Sequence, residues 1–130
     1  MIKQVFYVEH YWKVIVYYNL DYSLFKYIEE DLLSVEASEE LLDEVYSTLS
    51  LGKAKAMTYS NTKYNTSIVV FNRHSSIQDY INSLVHEAEH IKQAMLDNYM
   101  VKDEGEPPAY TIGYLVSMMW KTFKLLLKRR

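Results

Sequence analysis

The stretch from Ile77 to about Asn98 constrains this chain most. Ile77, Ile81, Leu84, Ala88, Ile91 and Met95 recur at spacings of three and four, which predicts one amphipathic helix with a buried stripe. His86 and His90 stand four residues apart inside it, so both imidazoles share a face. At about 100° per residue that face lies nearly opposite the middle of the apolar stripe. Gln93 and Asp97 lie on the same side, and Glu87 falls between the two faces. The histidines therefore look outward, toward solvent or toward another element laid across them.

Two neutral imidazoles one turn apart suit Zn²⁺, whose catalytic sites keep one coordination position open for water. A bound ion lowers the pKa of that water toward about 7, and a carboxylate such as Glu87 can then act as general base. Chance can also place two histidines on a solvated, charged helix face, so further ligands matter.

A second apolar-periodic stretch follows, with Ala109, Ile112, Val116, Met119, Phe123 and Leu126 or Leu127 on one side. Pro107 and Pro108 mark its start, because proline is tolerated in a first helical turn. Glu106, Tyr110, Gly113 and Ser117 form a separate strip, small enough at Gly113 and Ser117 for close approach. An acid at the head of that strip would face the two histidines. Glu106 also suits a helix N-terminus electrostatically, and both roles can hold together. The return from Tyr99 to Glu106 covers up to about 23 Å when extended, against a rise of about 13 Å from His90 to Tyr99. Asp103 and Glu104 are within reach too, but neither begins the helix. Asp97 lies two turns from His90.

The run His86-Glu87-Ala88-Glu89-His90, followed by Glu106-Pro107-Pro108-Ala109-Tyr110, resembles the gluzincin metallopeptidases, with their HExxH signature and a later glutamate ligand. ImmA/IrrE-type peptidases and small HExxH proteins of prophages and mobile elements are the nearest in style. The resemblance covers roughly residues 55–120. It implies zinc held by His86, His90 and Glu106, with Glu87 as general base. Tyr110 stands where several relatives carry an acid or amide, and would orient a ligand histidine, steady an oxyanion, or simply pack. Positions 93 and 96 are Gln and Leu, so the longer metzincin pattern is absent. In zincins a strand near the active-site helix pairs with an extended peptide. One strand of the 55–72 region would supply that edge, unless the N-terminal strand covers it.

The remaining sequence reads as one domain, 1–130. Residues 3–18 form one long strand or two short ones. Asp21 to about Val35 is helical, and Ser38 caps a second helix ended by Gly52. Lys55–Ser60 and Ser67–Asn72 form a hairpin. His74, just before the long helix, is a substrate-contacting group or an ordinary loop histidine. The 13 tyrosines lie largely in predicted strands, where sheet packing accounts for them.

The fold expectation is a compact α+β, zincin-like domain, with a small antiparallel or mixed sheet packed against the HExxH helix and the glutamate helix. The net charge of −3 gives no reason to expect nucleic-acid binding. The absence of cysteine removes thiolate sites and fits a cytoplasmic protein. No membrane span or signal peptide is evident. The functional expectation is a zinc endopeptidase acting on a protein or peptide. The alternative is a non-catalytic zincin-fold binding component, virion-associated if phage-encoded.

Overall fold

The computed structural model describes residues 1–128; Arg129 and Arg130 lie outside the described residues. Residues 3–18 divide into two strands, β1 (Ile2–Val8) and β2 (Trp12–Tyr18). Glu9 and His10 between them both carry positive φ, 51° and 67°. That pair of dihedrals belongs to a type I′ turn, whose twist matches a right-handed hairpin. Helices α1 (Phe25–Ser34) and α2 (Glu39–Ser50) follow. Ser38 caps α2 by accepting from the Leu41 N–H at 3.1 Å, and Gly52, at φ 71°, takes the left-handed position just past its end. The chain continues through β3 (Ala56–Asn61), β4 (Thr66–Phe71), α3 (Ile77–Asn98) and α4 (Glu106–Lys128).

The four strands make one mixed sheet in the order β1-β2-β4-β3. β1 and β2 pair antiparallel, β2 and β4 parallel, and β3 and β4 antiparallel. The parallel pairing requires a crossover, and α1 and α2 supply it on one face of the sheet. Ile15, Tyr17, Ile68 and Val70 pack there with Ile28, Leu32, Val45 and Leu49. The alternate residues Val14, Val16, Val69 and Phe71 face the other way, against Leu84, Ala88 and Ile91 of α3 and Leu115, Met119 and Phe123 of α4. A strand buried on both faces reads as a continuous apolar run, as residues 14–18 of β2 do. The result is a three-layered α+β domain with the sheet in the middle.

Both long helices bury most of the expected stripe, Leu84, Ala88, Ile91 and Met95 on α3 and Met119, Phe123 and Leu126 on α4, and depart from it locally. Tyr80, ring to ring with Phe71, His74 and Phe123, takes the place expected of Ile77 and Ile81, which are 46% and 39% exposed. On α4, Leu115 is buried and Ala109 exposed. At the first turns of α3 the large Tyr80 ring, rather than the branched aliphatics beside it, fills the space at the sheet. Among the described residues, no helix is long and apolar enough to cross a membrane.

Candidate metal centre and active site

Helix α3 runs along the β3 side of the sheet, and β3 is the outermost strand there. Its inward-facing residues are small: Ala56 and Thr58, with Ala54 just before the strand. Small side chains leave the helix and the strand edge apart, and an open cleft of about 470 Å³ lies between them. His86, Glu87 and His90 line it from the helix; Ala54 to Thr58 line it from the strand.

His86 and His90 are exposed, as their position opposite the apolar stripe predicts. Their Nε2 atoms lie 3.2 Å apart and the rings meet edge to face, 82° between planes. Two nitrogens on a tetrahedral zinc at 2.0–2.1 Å are separated by about 3.3 Å. The pair is thus spaced as two ligands of one ion would be. Glu87 is only 4% exposed and accepts a hydrogen bond from Thr58 Oγ1 at 2.9 Å. That bond points the carboxylate at the strand side of the cleft, one residue from the first histidine. A buried carboxylate needs such a partner.

Glu106 and Tyr110 are not brought to this cleft. Glu106 opens α4 beside Met95 and Tyr99, near the end of α3, and also lines a shallow groove with Tyr110, Gly113 and Ser117. Tyr110 is 75% exposed. The reason is the short connection: α4 begins where α3 has just ended and runs back antiparallel to it. The Tyr80 and Phe123 rings meet 4.5 Å apart. Equal rise along both helices then puts Gly113 and Ser117, rather than Glu106, level with the histidines. The apolar side of α4 faces the core, so the strip expected to face the histidines is turned to solvent.

Two of the other acids near α3, Glu89 and Asp103, are engaged elsewhere. Lys92 pairs with Glu89 at 2.7 Å and with Asp103 at 2.9 Å. Those carboxylates, Glu89 first, hold its ammonium above the ordinary lysine range. Among the described residues, no group of three or more His, Asp or Glu side chains is gathered closely enough to hold an ion.

Sequence reasoning singles out His74 but misses two site residues, Thr58 and the His74 partner Ser83. Thr58 is signalled only by the small residues at alternate positions 54, 56 and 58. His74 is buried and hydrogen-bonded to Ser83, which lines the cleft; no spacing pattern links residues 74 and 83. Comparison with known proteins finds no matching family model, no matching curated protein and no matching solved structure.

Proposed function

We propose that this chain is a metal-dependent hydrolase of peptide bonds, with a divalent ion such as Zn²⁺ held by His86 and His90. The observation that carries the reading is the meeting of two converging imidazoles and a buried glutamate in one cleft beneath a free strand edge. When bound, such an ion would lower the pKa of a water and polarise a carbonyl.

The chain's own residues do the rest. β3 is the last strand of the sheet on this side, so its outer N–H and C=O groups can pair with an extended peptide. That pairing lays the substrate across the cleft. Glu87 takes a proton from the attacking water and passes it to the leaving amine. Thr58 holds the carboxylate in place through this cycle. Glu106 stands outside the cleft and takes no part in the metal site.

The test is elemental analysis of protein purified without chelators or metal-affinity resin, together with digestion of a denatured protein pool. Expected are one zinc per chain, loss of it in His86→Ala and His90→Ala, and peptide cleavage that Glu87→Gln abolishes while metal stays bound. Cleavage by Glu87→Gln at the wild-type rate refutes the mechanism. The two-histidine set lacks a gathered acid, which favours one second reading: a domain that binds metal and peptide without cleaving. Metal with no cleavage selects that reading.

A further inference from the structure

The metal chemistry leaves a second polar cluster of the same cleft unused. His74, in the loop between β4 and α3, is 8% exposed. Its Nδ1 lies 2.7 Å from the backbone oxygen of Asn72. A carbonyl only accepts, so Nδ1 carries the ring proton. In the neutral imidazole Nε2 is then an acceptor, and Ser83 Oγ, 2.8 Å away, donates to it.

The ring is held from several sides. It stacks on Tyr80 with 4.4 Å between centroids. Asn72, which orients it, donates through Nδ2 to the Tyr22 hydroxyl at 3.0 Å and to the Leu49 carbonyl at 2.9 Å. Its backbone N–H reaches Lys55 O at 2.9 Å. A hydroxyl, an imidazole that can take its proton, and a fixed acceptor on the far ring nitrogen are the parts of an activated nucleophile. Here the fixed acceptor is a neutral carbonyl, which orients the ring but stabilises an imidazolium less than a carboxylate does. Ser83 and its neighbour Asn82 both line the cleft.

We propose that Ser83 is a nucleophile, with His74 as its general base, toward activated acyl or phosphoryl esters entering this cleft. Ser83 Oγ forms the bond to the acyl carbon or phosphorus, and its proton passes to His74 Nε2. The bond to the leaving alkoxide breaks, and the alkoxide collects that proton. In the acyl case water then attacks the serine ester and gives a proton to Nε2. The carboxylic acid departs, and Ser83 Oγ regains its proton.

The probe is a fluorophosphonate, applied to the full chain in EDTA so that the outcome is independent of any metal. Peptide mapping by mass spectrometry reads the adduct. Expected is labelling of Ser83 ahead of the exposed Ser23, Ser34 and Ser50, absent in Ser83→Ala and slowed at least about 100-fold in a folded His74→Gln. Labelling of Ser83 no faster than those serines, or undiminished in His74→Gln, overturns the proposal. If His74→Gln fails to fold, Ser83→Cys gives the readout, because the chain has no other cysteine. Its alkylation by iodoacetamide at neutral pH is expected to outrun that of N-acetylcysteine amide. A rate at or below that of the small thiol overturns the proposal.

Discussion

Replacing Thr58 with Val isolates the contact that joins the strand edge to the proposed general base. The two side chains have nearly the same shape and both suit a strand, so the change removes the hydroxyl and little else. Glu87 is buried and receives the Thr58 hydroxyl at 2.9 Å. A hydrogen bond to a charged group is worth about 1.5–3 kcal/mol. The added methyl returns less than about 0.8 kcal/mol, since position 58 is only partly buried. The lost bond wins, and the net destabilisation is about 1–2.5 kcal/mol. A chain of 130 residues unfolds with an entropy of about 0.27 kcal/mol/K, so Tm should fall by about 4–9 °C, read by circular dichroism at pH 7. The same substitution made in Glu87→Gln should cost about half as much, because the amide oxygen accepts a weaker, uncharged bond. Metal content should stay at the wild-type level while any peptide hydrolysis drops. A fall in Tm below about 2 °C, or an equal cost in both backgrounds, would refute the claim that this bond holds the carboxylate.

The other expectations concern separate parts of the molecule. Glu106→Gln should leave metal affinity unchanged by isothermal titration, because Glu106 lies beside Met95 and Tyr99 outside the histidine cleft; a tenfold loss would restore it as a ligand. Ser38→Ala removes the cap on Leu41 N–H and should cost about 0.5–2 kcal/mol in urea unfolding. Hydrogen bonds from Tyr64 and then Lys63 hold the Glu36 carboxyl below the ordinary glutamate range. A depressed folded-state value means that its contribution is present above the unfolded value of about 4.3 and lost as pH falls through the folded one. The Tm gap between wild type and Glu36→Gln should therefore shrink from pH 7 to pH 3, and a gap that stays constant would contradict the assignment.

Local patterns in the sequence carry much of the fold and half of the site. The bounds of α3 follow from its apolar spacing, and the Ser38 cap and Gly52 stop of α2 from single residues. The division of residues 3–18 into two strands was not fixed by composition, because the turn at Glu9 and His10 uses two non-glycine residues at positive φ. The outward facing of His86 and His90 needs only helical geometry. What failed was the placement of Glu106. Chain length allowed the return to the metal but did not compel it. Side-chain packing decides the matter instead: α4 buries Leu115, Met119 and Phe123 against the sheet and α3, and this turns the Glu106–Ser117 strip to solvent. The expected stripe is right at Met119, Phe123 and Leu126; the error lies in taking the neighbouring Glu106–Ser117 strip as facing α3, when the pairing of Tyr80 with Phe123 sets it beside solvent and sets Glu106 level with the end of α3.

The same distinction between local and long-range causes separates the proposed metal ligands from the proposed catalytic groups. His86 and His90 converge because they are one turn apart on a helix, and any perturbation that leaves α3 intact leaves them paired. Glu87 is aimed by Thr58, 29 positions away in sequence, and Ser83 by His74, whose orientation runs through Asn72 to Tyr22, Leu49 and Lys55. Thr58 lies on β3 and Asn72 is bonded to Lys55 just before it, and β3 is an edge strand bonded on one side alone. Edge strands open at lower cost than central ones, so a change that loosens β3 reaches both polar groups of the cleft before it reaches the histidines. Metal affinity should therefore outlast hydrolysis in partly destabilised variants. The edge strand proposed to receive a peptide is also the strand that holds Glu87 through Thr58, so a peptide paired along β3 would steady the proposed general base.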